Sequence, residues 1–112
     1  MIRVIAYIRP HRLEEVKTAL GEIGITGITV TEVRGCGSSP EASDWFMGRE
    51  LVIALPQKLK VEVVVEGDQA DAVAAAVIAG ARTGAPGDGK IFFQRVEDVI
   101  RVRTGERGEP GL

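Results

Sequence analysis

The chain has 112 residues, 45% apolar and 27% charged, with a formal net charge of −2. That length suits one domain around one core, and the near-balanced charge gives no sign of a nucleic-acid binder. The single Cys36 cannot close an intramolecular disulfide, no signal-peptide pattern opens the chain, and no apolar run nears the roughly 20 residues of a membrane span, so a cytoplasmic protein in a reducing compartment is expected.

Ile2 to Arg9 reads as a strand rich in branched residues, ended by Pro10. Leu13, Val16, Leu20 and Ile23 then fall on one helical face, with Gly24 as a C-terminal cap. Ile28 to Arg34 is a second strand. The following stretch, about 36–55, is small and polar in its first half and reads as a long loop, and loops of that length are functional or disordered. Leu51 to Leu55 is an arm leading into a third strand at Lys60–Val65. A second helix follows, with Val73, Val77 and Ala81 along one side, then a fourth strand from Lys90 to Val96. A short extended segment, "VIRVRTG", comes next, and residues 106–112 read as a loose polar tail.

The order β-α-β, long loop, β-α-β is that of a ferredoxin-like α+β fold, with a four-stranded sheet and two helices on one face. The other face needs cover, most simply from a second subunit.

Between the second helix and the fourth strand lies "RTGAPGDGKIFF" (Arg82 to Phe93). Gly84-x-x-x-x-Gly89-Lys90 resembles a P-loop, but a P-loop runs strand, loop, helix, and here the helix comes first. Ile91 also stands where the magnesium-binding Ser or Thr belongs. The loop still suits an anion, because Gly84, Gly87 and Gly89 permit a concave nest of N–H groups and Lys90 adds a charge. A plain tight turn is the competing reading. Arg101 and Arg103 are two apart, so on an extended chain they share one face and form a fork for phosphate oxygens. The alternative is a solvated strand edge.

Together these stretches resemble the PII signal-transduction family. "GITGITVTEVRGCG" is similar to its second-strand signature, "LPQKLKVEVVV" to its third strand, and "TGAPGDGKIFF" with "VIRVRTGE" to its C-terminal signature. The resemblance is collinear over nearly the whole chain. It implies a single domain over 1–112, a homotrimer with inward-facing sheets, and adenine nucleotide (ATP, ADP or AMP) bound between neighbouring subunits. It assigns Gly87, Asp88, Gly89 and Lys90 to the phosphates, with Arg101 and Arg103 reaching them from the adjacent subunit. Thr29, Glu62 and Val64 line the adenine end, while Gly35, Gly37 and Ser38 approach at the base of the long loop. That loop is the family's T-loop, which docks on target proteins such as transporters and metabolic enzymes. The family's members are sensors, not catalysts.

One departure falls at that loop. Where the family has an arginine and then a glutamine, this chain has Ser38 and Ser39. A serine supplies neither a guanidinium fork nor an amide's reach, so magnesium and 2-oxoglutarate lose a ligand while Lys58 remains for a second anion. ADP or AMP is then expected to compete well with ATP. The pattern is similar to that of divergent PII-like proteins, including a carboxysome-associated, bicarbonate-responsive group. A conventional nitrogen-regulatory PII responding to 2-oxoglutarate is the alternative. Trp45, Phe46 and Arg49 are candidates for docking a partner, or fold back on the trimer. Cys36 fills a tight corner or lines the cleft, and His11 has no second histidine with which to pair on a metal. No nucleophile–base pair suggests an enzyme.

Overall fold

The structure is a computed structural model and describes residues 1–35, 43–46, 49–53 and 55–112. Strand β1 (Ile2–Ile8) leads through Pro10 into helix α1 (Leu13–Glu22), then strand β2 (Thr29–Arg34). Strands β3 (Ser43–Phe46) and β4 (Arg49–Ile53) follow. Strand β5 (Gln57–Val65), helix α2 (Ala70–Ala81) and strand β6 (Gly89–Arg95) complete the elements. A four-stranded sheet has the order β2-β5-β1-β6, and every neighbouring pair is antiparallel. This is the expected ferredoxin-like α+β arrangement.

Period-two alternation decides which face is buried. Val4, Ala6 and Ile8 of β1 and Val61, Val63 and Val65 of β5 are nearly inaccessible. They meet Val16 and Leu20 of α1 and Val73 and Val77 of α2, the stripes legible in the sequence. Each such Val, Leu or Ile side chain, fully buried, stabilises by roughly 1.5–3 kcal/mol relative to exposure. The helices approach closely at Gly80, where a Cβ would stand 2.7 Å from the Val16 backbone nitrogen. Arg12 ties the pair by donating from Nε to the Gly80 carbonyl at 2.8 Å. Gly24 ends the first helical run at φ +84, a left-handed conformation that glycine adopts without steric cost.

The structure departs from expectation at four places. Within the long loop, Ser43–Phe46 and Arg49–Ile53 pair as a separate two-stranded sheet. The strand after it begins at Gln57, not Lys60, so that Lys58 belongs to the ladder, opposite Val33. The "VIRVRTG" segment is not extended. The Gly105 amide donates to the Arg101 carbonyl at 2.7 Å, the Arg101 amide donates to Glu106 O at 2.9 Å, and Ile100 bridges Arg107. Gly105, at φ +74, permits this reversal. Arg101 and Arg103 therefore sit on a turn and owe nothing to strand alternation. The last residues likewise close back on the chain: Gly108 N donates to Val99 O at 3.2 Å, Arg107 pairs with Asp98, and Gly111 is buried. The reading of 106–112 as a loose tail is corrected by these contacts.

Candidate functional site

The loop from Thr83 to Lys90 is organised by Asp88. Its Oδ2 accepts from the Thr83 amide at 2.8 Å and from the Gly84 amide at 2.9 Å, and its Oδ1 accepts from the Thr83 hydroxyl. Arg9, just past the end of β1, adds its Nε at 3.3 Å and gives an Nη2 hydrogen to the Pro86 carbonyl. The donors of Thr83, hydroxyl first, hold the Asp88 carboxyl well below the usual carboxylate range, so it is ionised throughout the neutral range. The side chain of Asp88 thus faces inward and shapes the loop. Lys58 approaches from β5 and donates from Nζ to the Gly87 carbonyl at 2.9 Å, its side chain almost fully buried.

Gly89 opens β6 opposite Ile8. It sits at φ +118, and a Cβ there would stand 1.7 Å from the Tyr7 carbonyl oxygen. No other residue fits this approach of loop to strand. The next residue, Lys90, pairs with Tyr7 across the ladder and is exposed. Among the described residues its ammonium has no hydrogen-bond or ion-pair partner. A cleft of about 310 Å³ lies between the end of α2 and the start of β6. Val77, Ile78 and Ala81 form its apolar wall, and Arg82, Asp88 and Lys90 are its charged lining.

Several candidates converge on the sheet face away from the helices. Thr29 pairs with Glu62, Glu62 with Ile5, and Val64 with Arg3. By alternation these residues share that face with Tyr7, Lys60, Lys90 and Phe92. Glu62 is largely covered and forms ion pairs with Arg3 at 3.4 Å and Lys60 at 3.7 Å. The rings of Tyr7 and Phe92 meet edge-on with centroids 6.2 Å apart. The face is thus mixed in polarity. Gly35 stands at the end of β2, where its amide donates to the Pro56 carbonyl at 3.2 Å. Cys36, Gly37, Ser38 and Ser39 lie outside the described residues. Trp45, Phe46 and Arg49 belong to the β3–β4 hairpin, where Phe46 pairs with Arg49.

The chain does not bring Arg101 and Arg103 to the glycine loop by any described contact. Arg101 donates from Nη2 to the Leu112 carbonyl, and Arg103 is exposed and has no partner among the described residues. Asp98 closes this turn. It accepts from Arg107 Nε at 2.9 Å and Nη2 at 2.6 Å, and also from the Val99 and Gly108 amides. Those donors, Arg107 first, hold its carboxyl below the usual range. Beside the arginines, Ile100 and Val102 are exposed, Val102 completely. No cluster of three metal-ligating side chains occurs among the described residues, and no described helix is long and apolar enough to cross a membrane.

The family model for "Nitrogen regulatory protein P-II" matches residues 1–106. The chain belongs to the PII family. A Nitrogen regulatory protein P-II of Microchaete diplosiphon is 52% identical over 96% of each chain. One from Rhizobium meliloti is 48% identical over 96% of each. Among solved structures, Arabidopsis thaliana PII bound to citrate superposes with a TM-score of 0.80 at 46% identity, covering 99% of this chain and 91% of that one. The names of the Microchaete and Rhizobium relatives point to nitrogen regulation and not to the carboxysome-associated group.

Arg9 was missed in the sequence. Its partner Asp88 is 79 residues away, and nothing in "YIRPHR" marks that pairing. The Thr83–Asp88 turn was closer to legible, since Thr-x-x-x-x-Asp beside glycines is a local pattern that closes on its own amides.

Proposed function

We propose that this PII protein is a cytoplasmic, non-enzymatic sensor that binds adenine nucleotide in clefts between subunits of a homotrimer. It reports the bound state to a transporter or metabolic enzyme through its T-loop. The observation that carries this reading is the glycine loop: a pre-shaped backbone whose own carboxylate is turned inward, followed at once by the exposed Lys90, which has no partner among the described residues. Such a loop offers N–H groups and one cation to phosphate oxygens at little reorganisation cost.

Gly87, Asp88 through its amide, Gly89 and Lys90 take the phosphates, and Arg101 and Arg103 complete the site from the next subunit. Thr29, Glu62 and Val64 receive the adenine end, with Gly35, Gly37 and Ser38 beside the phosphate chain. Phe92, Ile100 and Val102, at 51%, 55% and 100% exposure, support burial against other copies of the chain. Trp45, Phe46 and Arg49 meet the target.

Two readings of the second effector rest on different observations. Ser38 and Ser39 favour a small anion such as bicarbonate, held by Lys58 and Ser39 without help from a glutamine. The nitrogen-regulatory names of the relatives, and the citrate bound by the Arabidopsis protein, favour a dicarboxylate such as 2-oxoglutarate at the same lysine. Calorimetric titration with ATP, ADP and AMP tests both, each with and without magnesium plus 2-oxoglutarate, and with bicarbonate. ADP binding that magnesium and 2-oxoglutarate leave unimproved, and that bicarbonate alters, is the outcome expected of the first reading. Strong tightening of magnesium-ATP by 2-oxoglutarate establishes the second. Failure of all three nucleotides to bind refutes the sensor reading.

A further inference from the structure

We infer that Arg9 is a positioning residue for the phosphate-facing loop, holding the Pro86 carbonyl and the Asp88 carboxylate so that the Gly87 amide is aimed outward at the ligand. The inference rests on the reading above that this loop receives phosphate.

The geometry supplies the reason. A trans peptide is planar, with its C=O and the following N–H pointing in opposite directions. No peptide bond in the described chain is cis. The Arg9 guanidinium takes the Pro86 carbonyl, so the Gly87 N–H points away from Arg9. Lys58 takes the next carbonyl, that of Gly87, at 2.9 Å, and so turns the Asp88 N–H away from itself. Among the described residues neither amide has a hydrogen-bond partner. Two consecutive amides left unpaired beside a glycine at φ +96 are the donor side of an anion nest.

Arg9 is suited to this by its place and its shape. It follows Ile8, which stands in register between Leu59 and Gly89, and so projects from the end of a central strand of the sheet. A guanidinium presents several N–H donors in one plane and serves a carbonyl and a carboxylate together, whereas an ammonium is a point charge on a flexible stem. Arg9 and Asp88 are both partly covered, at 21% and 25% exposure, so solvent screens the pair less than an open surface pair. An aspartate next to a phosphate would otherwise repel it, and the Arg9 contact draws that charge away from the ligand side.

The test uses the full chain in its native assembly and four variants: Arg9→Gln, Arg9→Lys, Asp88→Asn and the double Arg9→Gln/Asp88→Asn. Affinity for ADP is measured by calorimetry, and the Gly84 and Gly87 amide shifts by NMR. Arg9→Gln is expected to weaken ADP about tenfold, the scale of one lost charge-assisted hydrogen bond, and to move both amides. Arg9→Lys is expected to recover part of the affinity. Because Arg9 and Asp88 shape one loop, the loss in the double variant is expected to fall short of the sum of the two single losses. Unchanged ADP affinity in Arg9→Gln overturns the inference, as do losses that add in the double variant. Should Arg9→Gln not fold, Arg9→Lys decides: native affinity with unmoved Gly84 and Gly87 amides overturns the role. A wild-type protein that binds none of ATP, ADP and AMP refutes the proposed function instead. The amide shifts of Arg9→Gln then still report whether Arg9 sets the loop.

Discussion

The loop at Thr83–Lys90 and the turn at Arg101–Gly105 are each closed by an aspartate, yet they are fastened to different things. Asp88 draws its cation from Arg9, on the far side of the chain, and its loop runs directly into a strand beside β1. Asp98 draws its cation from Arg107, 9 residues on, and otherwise bonds its own neighbours. The first closure fixes both the shape of its segment and its position on the sheet. The second fixes shape alone, and leaves Ile100, Val102 and Arg103 facing outward. A segment with settled shape, apolar flanks and a free cation is built to be placed by something else, which is what an inter-subunit site requires of its second half.

The contrast can be challenged by substitution. The largest effect is expected from Gly89→Ala. Its methyl would meet the Tyr7 carbonyl at 1.7 Å in a left-handed conformation, so denaturation should show a loss of roughly 3 kcal/mol or more. Gly105→Ala meets nothing within 4 Å at φ +74, and the same measurement should show only the conformational term, about 1–2 kcal/mol. If the two losses are equal, the loop is no more firmly built into the fold than the turn. Lys90→Ala should leave the melting temperature unchanged and weaken nucleotide binding by roughly 1.5–3 kcal/mol in calorimetry.

The smallest effect concerns acid. Both aspartates are held below the ordinary carboxylate range, Asp88 further than Asp98. A depressed folded-state pKa gives a contribution that is complete above the unfolded value, near 3.9. It is lost only as pH falls below that toward the folded value. Neither closure should change between neutral pH and about 5. On further acidification the Gly108 amide, bonded to Asp98, should shift before the Gly84 amide, bonded to Asp88. The reverse order in an NMR titration would contradict the ranking.

Much of this was legible in the sequence. The stripes at Val16–Leu20 and Val73–Val77 and the alternation of β1 and β5 gave the fold, because burial on one face imposes a period. The glycine loop was legible as an anion site because glycines and lysine carry that chemistry locally. Other features were not. The place of Asp88 in the glycine loop is legible, but not that the nearby donors of Thr83 and Gly84 capture its carboxylate and leave its amide as the group that can face a ligand. The i, i+2 spacing of Arg101 and Arg103 suggests an extended strand, although Gly105 allows a reversal there and Asp98 locks it. The β3–β4 pair went unseen because four residues, "SDWF", are too few to show a period. Each miss involved a contact or a turn that composition and periodicity do not encode.

Strand β1 has one further consequence. It is hydrogen-bonded on both sides along its whole length, to β5 and to β6, so its amides should be among the last to exchange with solvent. Gly89 and Arg9 attach the glycine loop to the end of that strand. The conformational entropy of ordering the loop is therefore surrendered when the sheet folds, well before any ligand arrives, and a ligand's encounter with it resembles docking onto a solid more than the wrapping of a chain.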